Sequence, residues 1–124
     1  MKKIILASVL ATVAVASIGT ANAATGNTVC TGGTAGTGSF STDTTSTTEF
    51  VKVAFTPKCS ANVHMHSTQN ANAIGVASGS SKGKNYFGGG SNSGGVTNKG
   101  TCATSGCSAT EAGATNSAAY MVLS

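Results

Sequence analysis

Four cysteines, Cys30, Cys59, Cys102 and Cys107, constrain this 124-residue chain more than any other feature. Their role depends on compartment: thiols stay reduced in a cytosol, whereas in exported proteins they pair as disulfides. The first 23 residues decide between the two. Lys2 and Lys3 precede an apolar run from Ile4 to Ile18, and Ala21-Asn22-Ala23 follows it. A positive start, an apolar stretch and a small-x-small signal together make a secretory signal peptide. A membrane span needs about 20 apolar residues, and this run is shorter and diluted by Thr12 and Ser17. The reading is a cleaved helical signal peptide over 1–23, no stable membrane span after cleavage, and one mature domain over 24–124. Localisation follows: exported, to the cell surface and medium or to the periplasm.

Export makes the even cysteine count a disulfide framework. Zinc coordination would want a second closely spaced pair beside Cys102 and Cys107, and a redox Cys-x-x-Cys does not occur. Three connectivities are open. Chain entropy assigns roughly 2 kcal/mol to a short Cys102–Cys107 loop and roughly 3.5 kcal/mol to a 30-residue loop. It therefore favours long cross-links and does not choose alone. The short spacing favours Cys102–Cys107, which leaves Cys30–Cys59.

Staples matter because the core is thin. Charged residues make up 8% of the chain, against about 25% in an average soluble domain, and Thr, Ser, Asn and Gly supply the polarity. Large apolar residues are sparse, with two groups, Phe50, Val51, Val53 and Phe55 and the terminal run Tyr120, Met121, Val122 and Leu123. A small core offsets chain entropy only marginally, so covalent staples or neighbouring molecules are expected. The mature chain has five lysines, three acids and no arginine, for a net charge of +2. Nucleic-acid binding wants many phosphate-neutralising cations, and that class is set aside.

Turn signals recur at short intervals, which predicts an all-β, disulfide-stapled antiparallel sandwich or barrel, immunoglobulin-like being one form. A Gly/Thr/Ser-rich segment over 24–48 opens the domain. Alternation makes Phe50–Phe55 the clearest strand. Ser60–Thr68 and Ala73–Ala77 are further strands, Ser78–Asn85 a basic turn and Gly88–Gly95 a loop. Ala118–Leu123 reads as an apolar terminal strand, although the alanine-rich Thr110–Met121 keeps a short helix open. Tyr120, Met121, Val122 and Leu123 are costly to leave wet, so they pack within the chain or dock on a neighbour.

Chemistry is scarce. His64 and His66 share one face if their segment is a strand, so two imidazoles could grip copper, nickel or zinc. Two ligands are few, and a solvent-facing strand is the simpler account. Nucleophilic catalysis needs a base and an orienting acid; the acids are only Asp43, Glu49 and Glu111. Lys82-Gly83-Lys84-Asn85 departs from a phosphate-binding loop at its last position and in its glycine spacing. No enzyme and no cofactor are expected, weak metal contact at His64 and His66 aside.

An early cysteine, Cys30, with a second across one strand region, Cys59, combines with Thr/Gly/Asn-rich strands and the terminal Tyr120. In these features the chain resembles the small exported pilin-like subunits of Gram-negative bacteria. That resemblance implies an immunoglobulin-like sandwich that polymerises by completing a neighbour's sheet. The segment 24–31 departs from it, since Val29 is its only large aliphatic residue. The function expected is a secreted structural subunit, a homo-oligomer or fibre on the cell surface. The alternative is a periplasmic metal-binding module using His64 and His66.

Overall fold

A computed structural model describes residues 25–40 and 49–122. The signal peptide, the threonine tract 41–48 with Asp43, and Leu123 lie outside the described residues. Among those described, seven strands and one helix follow in order: β1 Thr25–Thr31, β2 Gly36–Thr37, β3 Lys58–Cys59, β4 Val63–Gln69, β5 Ile74–Ser80, β6 Asn85–Gly90, β7 Thr97–Thr101 and α1 Ala114–Val122. The main sheet is antiparallel with strand order β1-β4-β5-β6-β7, and β2 pairs with β3 in a separate ribbon.

Short hairpins make β4 through β7 a meander. The β4–β5 turn is held by Asn70, whose Oδ1 accepts from the amides of Asn72 and Ala73, both at 2.9 Å. A short polar side chain that bonds backbone two and three residues on is a turn maker. The register of β1 on β4 slips between Thr28 and Cys30, so Val29 is a bulge residue. It is turned into the core, where it packs with Cys30 and Phe40 against Val51, Cys59, Met65 and Ile74.

Both disulfides are the pairs that spacing favoured. Cys30–Cys59 ties β1 to β3, and Cys102–Cys107 closes a tight loop after β7. That loop seats on the β5–β6 turn. The Cys107 amide donates to Ser80 O at 2.9 Å, and the Cys102 amide to Lys84 O at 2.7 Å.

Three expectations need correction. Phe50–Phe55 is no strand; only Phe55 takes part in pairing, through an isolated bridge to Phe40. Val53 is 73% exposed, so its alternation reflects no buried face. Ala118–Leu123 is not a terminal strand, because Ala114–Val122 is helical. Alanine is the best helix former, and Ser117, Tyr120 and Met121 fall at i, i+3 and i+4, one helical face; all three are buried. Gly88–Gly95 is not wholly a loop, since Gly88, Gly89 and Gly90 belong to β6.

Gly88 and Gly90, with Gly75 of β5, lie directly under α1, whereas Gly89 faces Gly95 and Val96. A Cβ at Gly75 would sit 2.0 Å from Ser117 O, one at Gly88 2.0 Å from Tyr120 Cε2, and one at Gly90 2.2 Å from Tyr120 O. With Ala77, which is fully buried, they form a cradle that brings helix backbone onto sheet backbone. The glycine content that resembles a flexible linker is in part a packing surface. On the opposite face, Phe40, Val51 and Cys59 cover the β1–β4 end of the sheet.

Candidate functional site

His64 and His66 point to the α1 side of β4, as strand periodicity requires. Both are half-buried rather than fully solvent-facing: α1 packs beside His66, and Ala109 and Ala112 of the turn before α1 line the pocket they share. His66 Nδ1 lies 3.1 Å from Ser117 Oγ, and Ser117 Oγ lies 2.6 Å from Thr68 Oγ1. Three polar side chains thus link helix to sheet. Burial pushes the His66 imidazole below its ordinary value, and a backbone hydrogen bond at Ser67 opposes part of that shift. His66 is therefore neutral at pH 7. His64 Nδ1 is buried without a hydrogen-bond partner.

Both histidines line a pocket of about 170 Å³, together with Thr28, Cys30, Thr31, Met65, Ala109 and Ala112. Their rings do not converge. His66 lies against Gly26, near the start of β1, whereas His64 lies against Gly32, just past its end. Gly32 has φ +73° and leaves the space that His64 occupies. Among the described residues no group of three or more His, Cys, Asp or Glu is placed to hold a metal ion. Two imidazoles line one pocket, but their rings lean toward opposite ends of β1.

The Ser117–His66 contact has the atoms of a nucleophile–base pair but not its setting. Ser117 is 0% exposed, so no substrate reaches its Oγ in this conformation. Of the acids, Glu111 is engaged elsewhere. It accepts from the Ala103 amide at 2.6 Å, and from the Ser108 amide and hydroxyl at 2.8 and 2.9 Å. The Glu111 amide returns a 3.4 Å bond to Ser108 Oγ. This is a Ser-x-x-Glu capping box that binds the Cys102–Cys107 loop to the turn before α1. The Ser108 and Ala103 amides hold its carboxyl below the usual range. The Ser-x-x-Glu spacing stands in the sequence and is the signal that could have located this brace.

The terminal residues are split. Tyr120 and Met121 are buried between α1 and the sheet. Burial, with Tyr86 nearby, raises the Tyr120 phenol, and the Lys99 ammonium sits 5.0 Å from its ring centre. Asn92 Nδ2 donates to Met121 O at 3.3 Å. Val122 ends the helix, and Leu123 lies outside the described residues. No helix among the described residues is long and apolar enough to cross a membrane. No protein-family model, curated protein or solved structure matches this chain.

Proposed function

We propose that this chain is an exported structural subunit that associates with copies of itself. One observation supports the reading most. Among the described residues five large apolar side chains are exposed, Phe50 (41%), Val53 (73%), Phe55 (51%), Phe87 (42%) and Val96 (63%). The buried large apolar side chains are fewer: Val29, Phe40, Tyr120 and Met121. A lone soluble domain gains by the reverse distribution, and exposed apolar groups favour association. Low charge weakens the repulsion that keeps molecules apart. The export reading rests on residues 1–23, and a pilin-like sandwich is the architecture an assembled subunit would complete with its neighbours. The test is sedimentation velocity of the oxidised mature protein over a hundredfold concentration range, with negative-stain microscopy. Concentration-dependent oligomers or fibres are expected; a monodisperse monomer throughout rejects the proposal.

The metal-binding alternative has one observation behind it, the two imidazoles on one pocket. Calorimetric titration with Cu(II) decides it. An affinity that survives replacement of both His64 and His66 by alanine removes that site.

A further inference from the structure

We infer that two copies of this chain associate face to face, through the side of the main sheet that α1 leaves uncovered. The inference rests on the self-association reading and names its contact.

Successive residues of a strand point to opposite faces. On β5, the middle strand of the sheet, Gly75, Ala77 and Gly79 lie on the α1 side and are buried, whereas Ile74, Val76, Ser78 and Ser80 lie on the other side and are half-buried. A middle strand fully buried on one side only is half of a sandwich. The cover on the second face stops at the β1–β4 end. There the Val51 amide donates to Gln69 Oε1 at 3.0 Å, and Phe55 stacks on Phe40 with ring centres 4.7 Å apart.

The exposed apolar side chains gather on this face. Phe50, Val53 and Phe55 belong to the segment that forms the cover. Phe87 lies between Tyr86 and Gly88 on β6, and Gly88 sits under Tyr120, so Phe87 points away from the helix. A Cβ at Gly89, on the same side as Phe87, would meet Val96 Cα, which places Val96 at that end too. Phe87 borders a hollow of about 320 Å³ with Val63, Ser78, Ser80 and Lys84. The face therefore stands higher at the end covered by residues 49–55 and lower beside Phe87.

A second copy fits both ends at once. A two-fold contact sets the cover segment of each copy over the hollow of the other, so the same contact forms twice. The area suffices. The three exposed phenylalanines present roughly 200–330 Å², at about 150–250 Å² for a whole aromatic side chain, and Val53 and Val96 add roughly 100 Å². A standard interface takes about 800 Å² from each partner, of which about 57% is apolar. One face thus brings most of the apolar area that a stable dimer needs. Strand addition at the sheet edges is disfavoured: β1 is bulged at Val29 and β7 at Lys99, and bulges and lysines blunt an edge.

The test follows hydrogen exchange of the oxidised mature wild type at dilute and at assembling concentrations. Amides over 50–55 are expected to gain at least tenfold protection on assembly, while those over 114–122 do not. Val53→Lys and Phe87→Lys are compared by sedimentation velocity. Both replaced side chains are exposed, so urea midpoints should stay at the wild-type value while each dissociation constant rises at least tenfold. Ala119→Lys, on the exposed side of α1, should leave it unchanged. The exchange measurement needs no variant, so it decides even where a lysine disturbs folding. An assembled wild type with no gain over 50–55 overturns the face contact while self-association stands, and protection confined to 97–101 overturns it in favour of the β7 edge. A wild type that stays monomeric over the hundredfold range overturns both.

Discussion

Gly75→Ala is the sharpest perturbation of the helix–sheet contact. Gly75 is not among the glycines with positive φ, so alanine meets no backbone strain and the whole effect is steric. The added Cβ would lie 2.0 Å from Ser117 O and 2.6 Å from Met121 N, where ordinary contact begins near 3.4 Å. Both are helix backbone atoms, so no rotamer change relieves the overlap. The helix must lift by about 1.4 Å, the difference between those limits. That lift stretches the 2.6 Å Thr68–Ser117 bond and the 3.1 Å His66–Ser117 contact past hydrogen-bond range. Overpacking costs about 1–3 kcal/mol, and a buried polar group left unpaired costs about 1–3 kcal/mol more. Alanine returns roughly 0.5–1 kcal/mol by restricting the unfolded chain and favouring the strand. The net loss is about 1–5.5 kcal/mol, a large part of a total near 5–15 kcal/mol. Urea unfolding followed by tyrosine signal measures it, with Gly36→Ala as control, because nothing lies within 4 Å of a Cβ there. Hydrogen exchange over 114–122 should rise in Gly75→Ala alone. Equal stability of the two variants, within about 0.5 kcal/mol, would refute the close-contact account of the cradle.

Three further outcomes are expected. Acidification should destabilise in two steps of the same sign. His66 has a lowered folded value, so its stabilisation is present above its ordinary 6.5 and is lost as pH falls below it; His66→Gln should flatten urea midpoints in that window. The lowered Glu111 carboxyl contributes above its ordinary 4.5 and loses that as pH falls further; Glu111→Gln should remove this lower step and increase exchange at the Ala103 and Ser108 amides. Replacing Cys30 and Cys59 by alanine should cost roughly 3.5 kcal/mol and replacing Cys102 and Cys107 roughly 2 kcal/mol by loop entropy, in chevron or equilibrium unfolding; the reverse order would contradict the entropic account.

The β class and both disulfide pairs were legible because they depend on local pattern and on chain separation. Val63–Gln69 and Ile74–Ser80 lie close to the strands expected over Ser60–Thr68 and Ala73–Ala77, and the turn at Asn70 has the residue such a turn needs. Phe50–Phe55 shows the limit of that logic. Alternation describes how side chains could be distributed, not whether a partner strand is present, and here only Phe55 finds one, at Phe40. Thr97–Thr101 shows the converse. It is polar throughout and became a strand through backbone pairing with β6. The histidine pair was visible as a spacing, whereas the splay of its rings toward Gly26 and Gly32 depends on space left by a different strand.

From the sequence alone came the export reading, the stapled framework, the thin core and the poverty of catalytic groups, all properties of composition and order. Tertiary structure alone decided what the glycines and the alanine-rich segment are for. Glycine in isolation signals freedom, and a Tyr-Met-Val run signals a strand as readily as a helix. Each ambiguity ends only when the two meet, because a helix backbone can approach a sheet this closely only where the sheet has no side chains, and a nine-residue helix persists only where such a surface holds it.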